Sequence, residues 1–189
     1  SYTDGSGMTV RTEQYPDENE VIATHFEFDG INRLTAVTDA MGMQTLSEYD
    51  MADRRTKVTH PASGTTEYKY DPAGNRTRLT WPETAFYVTT TYDALNRPSA
   101  IKELGTTNPA TYAYDDLSRR TTVTLGNGTT TSYGYSPQGA LASLSHNLAG
   151  TAQDQTLTYT RNPVQEIVGQ SWTNDLYQWM GYANGTQSY

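Results

Sequence analysis

The sequence predicts an all-β protein: tandem repeats forming a continuous antiparallel β-ribbon, two strands to a repeat. Three observations carry this. An aromatic residue followed by a turn recurs at Phe28, Tyr49, Tyr70, Tyr92, Tyr114, Tyr135, Tyr159 and Tyr182, at steps of 21, 21, 22, 22, 21, 24 and 23 residues. A fixed period in the twenties marks a repeat architecture. Apolar and polar residues alternate with period two around each aromatic, as in a strand with one apolar and one wet face. Each period also carries two turn signals, one beside the aromatic and one about halfway to the next.

Residues 1–25 read as an incomplete repeat or lead-in, and 26–189 as an array of about eight copies, the last truncated. The residue after the aromatic is Asp29, Asp50, Asp71, Asp93 and Asp115 in five copies, then Ser136, Thr160 and Ala183. Four places after the aromatic stand Asn32, Asp53, Gly74, Asn96, Ser118 and Gly139, which tolerate left-handed backbone. Nine places after it stand Val37, Val58, Leu79, Ile101, Val123, Leu144 and Val168, so the second strand of each repeat carries an aliphatic residue at one fixed place. In the third copy Tyr68 and Tyr70 share a side opposite Glu67 and Lys69; beyond the turn, Thr77, Leu79 and Trp81 lie opposite Arg76, Arg78 and Thr80. The second turn of each period is placed near Gly42, Gly64, Gly105, Gly126-Asn127-Gly128 and Gly150, with Asn-Gly as the hairpin signal in "VTLGNGTTTSY".

An aspartate opening a tight turn accepts a backbone N–H two residues on. The five aspartates are therefore read as turn caps rather than catalytic carboxylates. Gly74 and Asn75 are expected to supply positive φ. Arg33, Arg54, Arg76, Arg97 and Arg119 recur just behind the turns and are expected along the wet face or against a neighbouring aspartate.

Composition supports strands: 15 Tyr and 32 Thr in 189 residues, both favourable in pleated sheets. The formal net charge of −8, with Lys and Arg spread along the chain, argues against nucleic-acid binding, which needs a basic stripe. No cysteine is present, so there is no disulfide framework. No apolar run approaches the ~18 residues of a membrane-spanning helix. Both ends are expected to be cuts through a longer protein.

The motif Y-D-x-x-G/N-N/R-R at this period, in "FDGINRLTAVTD", "YDPAGNRTRLT", "YDALNRPSAI" and "YDDLSRRTTVTLGNGTTTSYGYSPQGALASLSH", resembles the RHS or YD-repeat family, in its bacterial form. The resemblance runs from about Phe26 to near the end. It implies a ribbon that forms an arc of a spiral shell or cocoon, a wall that encapsulates or displays a C-terminal toxin domain of a parent protein. It further implies secretion or a cell-surface location, and partners in further YD repeats, plug or cap domains and an enclosed effector. The structural motif then falls on Phe28, Asp29, Tyr49, Asp50, Tyr70, Asp71, Gly74, Asn75, Arg76, Tyr92, Asp93, Tyr114, Asp115, Tyr135 and Tyr159. The family's C-terminal self-cleaving DPxGL motif is not matched: Asp71-Pro72-Ala73-Gly74 continues with Asn75.

An enzyme is not expected, nor a cofactor. His25, His60 and His146 lie in different repeats without metal-ligand spacing, and no GxSxG, P-loop or GxGxxG occurs. The alternative is an extracellular carbohydrate-binding or adhesion module, with Trp81, Trp172, Tyr177 and Trp179 as stacking platforms. About sixteen strands at ~4.8 Å each make a ribbon ~77 Å wide. Closed on itself it leaves about 14 Å inside its side chains, too little for a domain of about 100 residues and ~13 Å radius of gyration. Such a segment is expected to work only as part of a larger wall, and by itself to associate through its raw edges.

Overall fold

The computed structural model describes residues 1–17, 20–82, 86–150, 152–173 and 187–188. Its contacts divide the chain into two units, Ser1–Thr89 and Thr90–Tyr189. Among the described residues every regular element is a strand.

The first unit is built from β1 (Tyr2–Thr3), β2 (Thr9–Asp17), β3 (Glu20–Phe28), β4 (Leu34–Thr38), β5 (Gln44–Tyr49), β6 (Arg55–His60), β7 (Gly64–Tyr70), β8 (Arg76–Thr80) and the start of β9 (Tyr87–Tyr92). Each strand pairs antiparallel with the next in sequence. The second unit takes the rest of β9, then β10 (Pro98–Glu103), β11 (Thr107–Tyr114), β12 (Arg120–Leu125), β13 (Thr130–Tyr135), β14 (Leu141–Asn147), β15 (Gln155–Arg161), β16 (Ile167–Trp172) and β17 (Gln187–Ser188), in the same meander.

Register sets the apolar face. Phe26 lies opposite Val37, Ser47 opposite Val58, Tyr68 opposite Leu79, Tyr112 opposite Val123 and Tyr133 opposite Leu144. In these five copies the aliphatic residue nine places after the aromatic thus meets a residue two places before it, a cross-strand pair of the kind that stabilises sheets. Among the described residues the buried hydrophobic positions are small, Ala36 (3% exposed) and Ala110 (8%), and no large side chain is fully buried. Stability in each unit therefore rests on strand ladders, cross-strand pairs and turns rather than on an interior.

The seventh copy departs from the spacing. Its turn opens at Asn162, whose Oδ1 accepts the N–H groups of Val164 and Glu166, and the register break falls at Arg161, opposite Ile167. Arg161 therefore holds the place that Tyr49, Tyr70, Tyr114 and Tyr135 hold elsewhere. Tyr159 lies two residues earlier, opposite Gln170, where Tyr68, Tyr112 and Tyr133 lie in their copies. Arg161 donates from Nη2 to Leu141 O (3.3 Å), the carbonyl that corresponds to the acceptor of each tyrosine hydroxyl described below. A long polar side chain reaches the same point, so the spacing shifts and the contact survives.

Candidate functional site

The recurrent construction is the turn at one end of each hairpin. The aspartate N–H donates to the carbonyl of the residue four places on, and the residue three places on donates to the aspartate carbonyl: Asp29 to Arg33 O and Asn32 to Asp29 O, both 3.0 Å, with the same pattern at Asp50, Asp71, Asp93 and Asp115. This is a three-residue hairpin loop, a turn closed by one left-handed residue and a bulge. The left-handed residues are Asn32, Asp53, Gly74, Asn96, Ser118 and Gly139, with φ of 66, 60, 91, 59, 61 and 88°, joined by Gln165 at 69°. Asn75, expected to share the positive φ of Gly74, does not, because a loop of this length has room for one such residue. The Asn127-Gly128 turn behaves likewise: Gly128 alone is left-handed, and Asn127 Oδ1 takes the Thr129 N–H at 3.0 Å.

Each aspartate then does more than cap. Asp50 Oδ1 accepts the N–H of Ala52 (2.9 Å) and of Arg54 (3.0 Å), while Oδ2 accepts Arg54 Nε at 2.7 Å. Asp29 with Arg33, Asp93 with Arg97 and Asp115 with Arg119 repeat this. At Asp71 the partner is Asn75, through its backbone N–H (2.8 Å) and its side-chain amide (2.9 Å). These bonds favour the ionised carboxyl. For Asp29 and Asp50 the backbone N–H of Arg33 or Arg54 is the largest influence, and for Asp71 the Asn75 amide; all three fall below the 3.8 of an ordinary aspartate. For Asp93 and Asp115 partial desolvation is the largest single influence and pushes upward, but the N–H and arginine bonds together outweigh it and the net shift is down.

The arginine links one turn to the next. Arg33 Nη1 donates to Asp50 O (2.9 Å) and Asp53 Oδ1 (2.9 Å) with its guanidinium 5.0 Å from the Tyr49 ring centre. Arg54 reaches Asp71 O (2.9 Å) and lies 4.8 Å from the Tyr70 ring. In the second unit Arg97 bonds Asp115 O (3.3 Å) and Ser118 Oγ (3.1 Å) and lies 4.5 Å from Tyr114; Arg119 lies 4.4 Å from Tyr135. The tyrosine hydroxyls reach back one repeat: Tyr49 to Leu34 O, Tyr70 to Arg55 O, Tyr114 to Pro98 O and Tyr135 to Arg120 O, at 2.8–2.9 Å. Forward by guanidinium and backward by hydroxyl, neighbouring turns are fastened into a ladder along one edge of each unit. The sequence placed the arginines near aspartates but not their second contact; the signal available was the co-occurrence of Tyr-Asp and Arg five places after the tyrosine. Arg76 follows another rule: it starts β8, beside the ring of Tyr68 (5.7 Å).

Replacing Arg54 with lysine keeps the charge but loses the planar fork that serves Asp50, Asp71 and the Tyr70 ring together. We expect Tm to fall by about 2–4 °C, the effect of losing roughly one net hydrogen bond in a chain of this size. A melting curve of Arg54→Lys beside Tyr70→Phe, which loses only the hydroxyl bond, checks this.

The stacking candidates separate. Trp81 follows β8, half-buried, its ring centre 5.2 Å from that of Phe86 at 54°. Trp172 ends β16 opposite Leu157. Tyr177 and Trp179 lie outside the described residues, as does Tyr182. Among the described residues no three His, Asp or Glu side chains are grouped to hold a metal. His60 Nδ1 accepts the N–H groups of Ala62 and Ser63 (3.2 and 3.3 Å) at a turn, and His146 Nδ1 pairs with Thr131 Oγ1 at 3.0 Å.

An uninterrupted meander with recurrent capped turns, joined to the next repeat through Arg33, Arg54, Arg97 and Arg119, is a tandem β-hairpin repeat. Residues 28–65, spanning two of its turns, match the RHS Repeat family model. No curated relative matches the chain. Among solved structures it is similar to TcdB2-TccC3-TEV, with TM-score 0.73 and 15% identity over 100% of this chain and 12% of that one. TcdB2-TccC3 without its hypervariable C-terminal region gives TM-score 0.73 and 15% identity over 98% and 11%. The Photorhabdus luminescens Tc holotoxin pore gives 0.68 and 17% over 90% and 10%. The fold is shared, and the chain spans about an eighth of the length of the first of these.

Proposed function

We propose that this chain is a segment of structural wall in an RHS-type shell, and that the shell encloses or displays a C-terminal toxin domain of its parent. The observation that carries the reading is the turn ladder. Arg33, Arg54, Arg97 and Arg119, with Tyr49, Tyr70, Tyr114 and Tyr135, are used in fastening one turn to the next, which suits a wall that extends by repetition. Further repeats, a plug or cap domain and an enclosed effector are its partners, and the parent acts outside the cell or on its surface. The similarity to proteins whose names include a Tc holotoxin pore and a hypervariable C-terminal region supports a toxin parent.

Limited proteolysis of the full-length parent tests this. A domain C-terminal to the repeats should resist protease while the wall is intact, and become cleavable when Arg54 and Arg119 are both replaced by alanine. A parent that ends in a membrane anchor with no domain after the repeats, or a C-terminal domain equally cleaved in both proteins, would reject the toxin reading.

A further inference from the structure

A recess of about 230 Å³ lies beside the end of β8 in the first unit, lined by Thr65, Glu67, Thr80, Trp81 and Pro82. It belongs to neither the turn ladder nor the paired apolar residues. Strand register assembles its floor: Glu67 lies opposite both Lys57 and Thr80, and the Thr65 hydroxyl pairs with that of Thr59 at 3.2 Å. Trp81 and Pro82 are held in place by their neighbours. Phe86 packs against the indole of Trp81, and the Trp81 N–H donates to Phe86 O at 3.2 Å, closing the loop. The β6–β7 turn lies so close that a Cβ on Gly64 would stand 2.9 Å from Pro82 Cβ.

The chemistry of this lining is amphipathic. An indole and a proline ring offer apolar surface, while a carboxylate and two threonine hydroxyls offer hydrogen bonds beside it. Lys57 donates to Glu48 at 2.9 Å, and the exposed Glu67 carboxylate keeps acceptor capacity for O–H donors. Thr80 Oγ1 accepts Arg78 Nε at 3.1 Å, which leaves its own O–H to donate outward. A pyranose ring has the complementary pattern: a C–H face for the aromatic wall and a rim of hydroxyls that both donate and accept. At about 230 Å³ the recess lies below the ~300 Å³ at which drug-sized ligand pockets begin, so it suits one ring. Glu67 adds a negative charge, so a neutral sugar is favoured over an acidic one.

We propose that the Trp81 recess binds a single neutral pyranose unit, its ring against Trp81 and its hydroxyls on Glu67, Thr65 and Thr80. This is a binding site separate from the wall role, and it would mark the face carrying Glu67 as one that meets glycans.

The test is an NMR titration of the full chain with methyl β-D-glucopyranoside, following the Trp81 indole N–H, with mannitol as an acyclic control. The expected result is a saturable shift at Trp81 and at the Glu67 and Thr80 amides, with Kd on the order of 1–10 mM. Glu67→Gln should weaken binding about tenfold with the dispersion of the spectrum unchanged, Trp81→Leu should abolish it, and Trp172→Phe should leave it intact. No saturable shift below about 100 mM, equal shifts with mannitol, or binding unaltered by both recess variants would overturn the proposal.

Discussion

Replacing Gly64 with alanine should lower Tm by about 4–20 °C. Two costs combine at this residue. Its φ is +82°, where a Cβ costs about 1–2 kcal/mol. That Cβ would also lie 2.9 Å from Pro82 Cβ, a crowded contact with a ring that cannot rotate aside, at about 1–3 kcal/mol. The sum is about 2–5 kcal/mol, and at about 2–4 °C per kcal/mol for a chain of this length the shift follows. Gly42 provides the comparison: its φ is +79° but nothing lies within 4 Å of the added carbon. Gly42→Ala should therefore show the backbone cost alone. Equal Tm losses in the two variants would refute the Pro82 contact.

Acid should unfold the repeats through their turns. Asp29, Asp50, Asp71, Asp93 and Asp115 all sit below the ordinary carboxyl value of 3.8 when folded. A depressed folded value means that the unfolded chain takes up protons first. The stabilisation is thus complete above 3.8 and disappears as pH falls through the lower folded values. Tm should stay nearly level between about pH 7 and 5 and drop below about pH 4. The contrast with Asp50→Asn isolates one turn: wild type should exceed the variant most at neutral pH, with the gap narrowing in acid. A gap that stays constant with pH would show that the Asp50 charge contributes nothing. High salt should shrink it at neutral pH, since these pairs are only partly shielded from solvent.

The period, the strand pairs and the turns were legible because each is written in local sequence. Alternation fixes which residues share a face, and residues such as Asn32 and Gly139 announce left-handed backbone by their chemistry. What remained hidden depends on the third dimension. The bonds from Arg33 to Asp50 O and from Tyr49 to Leu34 O span 17 and 15 residues, and nothing in either local motif specifies the partner. The displaced seventh turn was hidden for another reason. Tyr159 fits the spacing, whereas Arg161 fits the hydrogen bond, and only register tells which of them precedes the loop. The Trp81 recess also escaped, because it joins β7 side chains to a loop that strand alternation does not describe.

Because each strand in the meander is paired with the strands beside it in sequence, each unit also has a characteristic mechanical response. Tension applied at β1 or at β17 meets a strand held by a single ladder, β1 on β2 and β17 on β16. Hydrogen bonds then open one after another, as in a zipper, rather than all at once in shear. The force needed stays near that of one hairpin however many repeats are joined, while the length released grows with their number. A chain built this way can be long and yet be drawn out from its end, one hairpin after the next.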